Sequence, residues 1–493
     1  MKLQKLLHPL LAATHLLGLQ IAFAEAPAQL NPFAANSGIQ ATDEVYVPAR
    51  PGEIPNTPIL DQDGRQIIVG GFVTLEKVPY TPEDYQRMVR MGANFQVIRM
   101  PVGMIGAWPG TEADQAVLQQ FDDFVRMGKD AGLKTIFKMV FYGIQPAHEE
   151  KKWEMIWSDT HATQQKLIDG WTRIGLRYKD EPAVFGYDLL NEPARGISRD
   201  YQRLQAEQVL PLQRRMADAL HAISPEKWAL FQPLIRKPED QPTRHRDPVV
   251  PIVESFNRDR VIYAPHLYQM DTSVIAMQLD NLQRQAALSN APLMLGEWGS
   301  PTLNNTDGNA KQEARFTNVY EFTVTAIDSR GIGGIKPWFC GERRPIPLRD
   351  GKWMTWAIFS DKSPAGKVER KYITDVIVRT RPLVIAGRLK TFVNDFETNS
   401  FEMTLYTDPA LGATEIFVPT ERHYPNGFRL EIGSNLVLKK PAGSDQFVGM
   451  NVATQVARDQ AKHIRWNDAA QRLVIERWIG DARELTMKVR PNR

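Results

Sequence analysis

One cysteine, Cys340, stands in a chain of 493 residues. A single thiol excludes an internal disulfide, so packing alone must hold the fold, and Cys340 after a Trp-Phe pair reads as a small buried hydrophobe. Charge of one sign is equally scarce: the formal net charge is +3, and two of the positive charges, Lys2 and Lys5, lie in a leader. There is no global field to recruit nucleic acid or an anionic membrane. Beyond the leader no stretch approaches the roughly 20 apolar residues of a membrane span. No His, Cys and Asp residues are spaced as a metal site. Gly70-Gly71 does not continue into a phosphate-binding loop, which counts against a doubly wound open sheet. Internal repeats and low-complexity tracts are absent.

What is present begins with a signal. Lys2 and Lys5 precede an apolar run from Leu10 to Ala24 that closes on Ala22-Phe23-Ala24, the small-residue pattern of a cleaved secretory leader. Residues 1–24 are therefore expected to be removed, leaving a secreted or periplasmic protein. Residues 25–57, rich in Ala, Pro and Asn, read as an extended segment. From residue 58 to 375 apolar strands alternate with amphipathic helices. The strand candidates are Gln66–Phe72, Phe95–Met100, Thr135–Phe141, Val184–Leu190, Trp228–Phe231, Val261–Ala264, Leu293–Leu295 and Ile332–Trp338. Eight strands over about 300 residues suit a (β/α)8 TIM barrel. Residues 376–493 lose the helical period and show short alternating runs with turns such as Pro425-Asn426-Gly427, which predicts a smaller all-β sandwich domain.

In a β/α barrel, residues at the C-terminal ends of the strands converge on one pocket. Read together, those ends are Arg99, Asn191 and Glu192, His266 and Tyr268, Glu297, and Trp338. Two carboxylates facing each other are the apparatus for cleaving a glycosidic bond, one giving a proton to the departing oxygen and the other attacking the anomeric carbon. Glu192, before Pro193, is the expected acid/base, and Glu297, in Gly296-Glu297-Trp298-Gly299, the nucleophile. Arg99 is placed to hold Glu297 ionised. Tyr268 can hydrogen-bond the same carboxylate, and His266 can orient Glu192 or a sugar hydroxyl. Asn191 suits the sugar 2-hydroxyl, and Trp338 offers an apolar face to a sugar ring. This chemistry requires neither metal nor cofactor.

The set resembles glycoside hydrolase family 5, the retaining β-glycosidases that include cellulases and mannanases, through Asn191-Glu192-Pro193 and the later Glu297. Ala264-Pro265-His266-Leu267-Tyr268 and Gly296-Glu297-Trp298-Gly299 resemble its endoglycoceramidase branch, which cleaves glycolipids between sugar and ceramide. So does the tail, through Arg381-Pro382, Thr414–Pro419 and His423-Tyr424-Pro425-Asn426-Gly427. The family usually carries a His after the third strand. Here Phe137-Lys138-Met139-Val140-Phe141-Tyr142 has none, and Lys138 and Val140 occupy the equivalent places.

The expectation is an exported, monomeric, retaining β-glycosidase acting on a glycolipid or related β-glycoside. A cellulase-type endo-β-glucanase and a carbohydrate-binding protein that has lost turnover, the latter suggested by the missing His, are the alternatives. Acyl chains would be met by Trp153, Met155, Ile156 and Trp157 or by Pro248–Val253, and peripheral contact with a membrane is expected of a protein that acts on a lipid-linked sugar. Arg343, Arg344 and Arg349 could meet an anionic headgroup.

Overall fold

The run from Gln66 to Phe72, which reads as one strand, is divided between two sheets. In the computed structural model, Gln66–Ile67 pairs with Ile59–Leu60 and with Arg381–Ile385 of the C-terminal half, and only from Gly70 does the chain enter the barrel. The structure describes residues 49–50, 52–54, 56–237, 240, 248–342, 346–347 and 351–492. The leader at 1–24, most of the segment at 25–57, and Arg343, Arg344 and Arg349 lie outside them.

The barrel strands are β1 (Gly70–Thr74), β2 (Phe95–Pro101), β3 (Lys134–Val140), β4 (Val184–Asp188), β5 (Trp228–Phe231), β6 (Val261–Tyr263), β7 (Met294–Leu295) and β8 (Gly333–Lys336). They form one eight-stranded sheet in the order β7-β8-β1-β2-β3-β4-β5-β6, all neighbours parallel. The parallel bridge from Tyr263 to Leu293, with the parallel pairing of His266–Tyr268 and Glu297–Gly299 just beyond it, closes the ring. Strands covered on both faces carry near-continuous apolar runs, as β2 does with every residue but Arg99 buried. Against that background Lys138, in the middle of buried β3, is the anomaly.

Helices supply the outer layer where the sequence period places them. Pro82–Arg90 buries Tyr85, Met88 and Val89, and at its start the Thr81 N–H donates to Asp84 Oδ2 at 3.0 Å. Gln115–Asp130 buries Phe121, Phe124 and Val125 and is capped by Asp114. Ala310–Ser329 buries Phe316, Tyr320 and Ile327 behind an Asn309 cap.

Beyond the barrel, two six-stranded sheets face each other. One joins the N-terminal hairpin to Arg381–Ile385, Thr414–Phe417, Arg472–Ile475 and Ile464–Asn467; the other holds Gly387–Asp395, Ser400–Thr407, Glu484–Pro491, Gly427–Ile432, Leu436–Pro441 and Val448–Val452. Phe392, Phe401, Met403, Phe428 and Met487 from one sheet meet Ile385, Ile416, Leu473 and Ile475 from the other in a core separate from the barrel's. Alternation predicted this layer, but no local pattern could show that strand Gln66–Ile67 completes it.

The seam between barrel and sandwich is polar. Arg381 donates to Gly92 O at 2.9 Å and Ile68 O at 2.6 Å, and Asn94 Nδ2 also reaches Ile68 O at 3.0 Å, so the carbonyl left over where the strand changes sheets is satisfied. A side chain at Gly70 would place its Cβ 2.1 Å from the Arg381 guanidinium, which is why that position is glycine. Arg379 forks onto buried Asp328, with Nε to Oδ2 at 2.6 Å and a second bond from Nη2 to Oδ1. Removing one partner of such a pair strands the other, so Arg379→Met is expected to cost about 3–5 kcal/mol in urea unfolding, more than Asp328→Asn with Arg379→Met combined.

Candidate active site

Glu192 follows β4 with a φ of 49°, the left-handed region that a glutamate before proline rarely adopts. Its backbone N–H donates to Gln232 Oε1 at 2.9 Å. Gln232 is itself locked: its Nε2 donates to both oxygens of Asp188 at 2.8 and 3.0 Å, and its own backbone exchanges two hydrogen bonds with the Gln213 amide at 2.8 and 2.9 Å. The surrounding network thus holds a conformation that costs about 1–3 kcal/mol on its own. Neither Gln232 nor Gln213 carries a motif, and sequence reasoning missed both.

The carboxyl of Glu192 extends to His266, Oε1 to Nδ1 at 2.7 Å. His266 opens the short strand His266–Tyr268 beyond β6, which pairs in parallel with Glu297–Gly299 beyond β7. That register sets Glu297 beside His266 and turns Tyr268 back toward the same carboxylate, to which its hydroxyl donates at Oε2. Lys138 Nζ occupies the other oxygen, Oε1, at 2.8 Å.

The counter-charge expected from Arg99 is therefore supplied by Lys138. Arg99, half-buried at the end of β2, lies with its guanidinium 4.7 Å from the centre of the Tyr142 ring. Lys138 is 1% exposed and reaches Asp188 at 3.4 Å, His266 Nε2 at 3.2 Å and Gly296 O at 3.3 Å as well as Glu297. The sequence signal existed: a lone lysine at the place usually held by another polar group, inside an apolar strand.

These contacts fix the charges. Burial would raise the Glu297 carboxyl, but the Lys138 ammonium and the hydrogen bonds from Lys138 and Tyr268 outweigh it and hold it well below the ordinary carboxylate range. Burial works against the Lys138 charge, yet Glu297 and Asp188 more than restore it. Burial and the Glu297 charge push the Tyr268 hydroxyl well above its ordinary range, so it remains a donor. Lys336 at the end of β8 lies under Gly299, and burial brings its ammonium down to about 7.

Asn191 is held by its N–H on Met139 O at 3.1 Å, with its side-chain oxygen buried and no hydrogen-bond partner, a group ready for a ligand hydroxyl. Trp338, half-buried, meets Trp356 edge to face at 5.6 Å, and Trp356 packs on Tyr268 at 5.4 Å. Trp356, in the loop beyond β8, had no signal in the sequence. The structure thus joins Glu192, His266, Glu297 and Tyr268 directly, adds Lys138, and borders them with Asn191 and the Trp338–Trp356 pair.

The proposed acyl-binding segments behave differently. The helix Glu149–Trp157 buries Trp153, Ile156 and Trp157 against the barrel, and Val249, Val250 and Ile252 are buried too. Two apolar side chains in loops on this face are open: Ile197, 67% exposed, and Val253, 54% exposed.

A barrel with two strand-end glutamates defines a class, and comparison with known proteins agrees. The cellulase model of glycosyl hydrolase family 5 matches residues 60–335, and the family 5 C-terminal domain model matches 379–475. The chain belongs to glycosyl hydrolase family 5 and is a glycoside hydrolase. It is 22% identical over 465 residues to endoglycoceramidase I of Rhodococcus hoagii, covering 81% of this chain and 85% of that one. The fold is similar to endo-glycoceramidase II from Rhodococcus sp. in its ganglioside GM3 complex, with a TM-score of 0.65, 18% identity, and 89% and 100% of the two chains covered. It is also similar to sterylglucosidase 1 of Cryptococcus neoformans, with a TM-score of 0.62, 11% identity, and 89% and 97% covered.

Tyr268 donates to an ionised carboxylate, a bond worth about 1.5–3 kcal/mol. Tyr268→Phe is expected to lower kcat on an activated aryl β-glycoside about 10- to 150-fold and to raise the acid limb of its pH profile, because Glu297 loses one of the groups that hold it low.

Proposed function

We propose that the protein is a retaining β-glycosidase that hydrolyses the bond between a sugar and a lipid-type aglycone, a glycosylceramide or related β-glycoside. The observation that carries this reading is the opposed treatment of the two carboxylates: Glu297 is clamped by Lys138 and Tyr268, whereas Glu192 faces a single imidazole and is the more exposed of the two. The pairing of this barrel with this C-terminal domain, as in the endoglycoceramidase relatives, supports the lipid-linked substrate.

The sugar ring lies on Trp338 with its 2-hydroxyl toward the unpartnered side-chain oxygen of Asn191. Glu192 transfers its proton to the glycosidic oxygen as the C1–O bond breaks, and a Glu297 oxygen bonds to C1; the aglycone leaves as an alcohol. Glu192, now a carboxylate, takes a proton from water, whose oxygen attacks C1 and expels Glu297. Both groups return to their starting states, and the anomeric configuration is retained. The enzyme works as an exported monomer, secreted or periplasmic after loss of the leader, and Ile197 and Val253 provide peripheral contact with the lipid surface.

Burial of Trp153, Ile156 and Trp157 favours a second reading, an endo-β-glucanase with an open polysaccharide groove. Incubation with glycosphingolipids decides between them: release of free sugar and ceramide is expected. Turnover of soluble β-glucan with no release from any glycolipid moves the protein to the second reading. The roles of the carboxylates are checked by azide rescue, with Glu297→Ala expected to give the α-glycosyl azide and Glu192→Ala the β-glycosyl azide. Glu192→Gln is expected to lose about 10²–10⁴-fold in turnover of the lipid substrate.

A further inference from the structure

Lys138 does more than neutralise a buried acid. Its Nζ has four neighbours: Glu297 Oε1 at 2.8 Å, His266 Nε2 at 3.2 Å, Gly296 O at 3.3 Å and Asp188 Oδ2 at 3.4 Å. An ammonium offers three protons and accepts none. The nitrogen of His266 that faces it must therefore be the unprotonated one. An imidazolium, or the tautomer protonated at Nε2, would set two donors against each other at 3.2 Å. The imidazole proton then lies on Nδ1, where it meets Glu192 Oε1 at 2.7 Å. One cation thus touches the nucleophile directly and the acid/base through a single ring.

We propose that Lys138 is a positioning residue for both catalytic carboxylates, holding Glu297 as the anion and locking His266 as a neutral Nδ1–H donor to Glu192. This rests on the retaining reading. In the free enzyme the anion beside Lys138 is Glu297. When the glycosyl-enzyme forms, Glu297 becomes an uncharged ester and Glu192 the carboxylate. The His266 N–H, polarised by the Lys138 charge on its far side, then faces the new anion. The positive charge serves whichever carboxylate is ionised, and neither proton transfer requires the imidazole to change tautomer.

The other charged and titratable groups facing this network are accounted for. Asp188 on β4 is held on both oxygens by Gln232 and pushed up by burial despite Lys138. Tyr268 donates to Glu297 Oε2. Lys336 on β8 lies buried with its Nζ on Pro337 O at 3.0 Å, and Arg99 on β2 stacks on Tyr142. Among the described residues, none of these contacts an imidazole nitrogen of His266, so its tautomer is set by Lys138 and Glu192.

Histidine 15N labelling tests this on the full chain without substrate, so its failure is separate from failure of the glycosidase reading. The chain has nine histidines, and the His266 signals are those that vanish in His266→Gln. At neutral pH the expected spectrum has a protonated Nδ1 and a bare Nε2. In Lys138→Met with Asp188→Asn, which removes cation and acid together, the tautomers should mix. There kcat on an aryl β-glycoside should fall about tenfold or more with KM within about twofold, and the acid limb should move up. A wild-type His266 protonated at Nε2, or charged, overturns the proposal, as does a folded double variant with an unchanged tautomer and pH profile. If the double variant does not fold, the wild-type spectrum decides alone.

Discussion

The ion pair between Lys138 and Glu297 is the constraint on which the rest of this active site depends. Lys138 is buried and Glu297 largely so, and such a pair is stable only when its remaining donors and acceptors are met. The neighbourhood meets them: Gly296 O and Asp188 around the ammonium, Tyr268 on the second carboxylate oxygen, Gln232 across Asp188. The same Gln232 amide fixes the backbone of Glu192 in its left-handed conformation. Tuning of the nucleophile and placement of the acid thus share one hydrogen-bonded support. It reaches from β3 through β4 and β5 to the extensions of β6 and β7.

That support needs a rigid ring, and the ring is braced from outside. The strand that starts the barrel first completes a sheet of the C-terminal domain, and Arg381 and Asn94 satisfy the carbonyl exposed at the changeover. The sandwich is therefore tied to the bottom of β1 by main-chain pairing as well as by the Arg379–Asp328 fork. Family 5 models match both halves of the chain.

The fold was largely legible in the sequence because its signals are local. Apolar runs bounded by turns marked all eight barrel strands to within a few residues. Only the division of Gln66–Phe72 was hidden, since a strand that leaves one sheet for another keeps the same composition throughout. Of the site, the carboxylates, His266 and Tyr268 stood at readable strand ends. Gln232, Gln213 and Trp356 did not, because an amide or indole serving as support has no spacing rule. Lys138 was visible as a departure, but whether a buried lysine faces an acid or replaces a ligand depends on partners from β4, β6 and β7 that only the closed barrel brings together. The aromatic segment at 153–157 looked like a ligand groove and proved to be packing, because Trp153 and Trp157 stack on each other with ring centres 5.6 Å apart.

Attack on the anomeric carbon depends on the ionisation of Glu297. A fluorinated β-glycoside that forms but does not release the glycosyl-enzyme reports it, since only the carboxylate attacks. Its rate of attachment, followed by mass spectrometry of the Glu297 peptide, should stay flat as pH falls through 4.5, the ordinary glutamate value, and decline only well below it. A rate that halves near 4.5, or a label on any residue other than Glu297, would contradict the central role given to Lys138 and its partner.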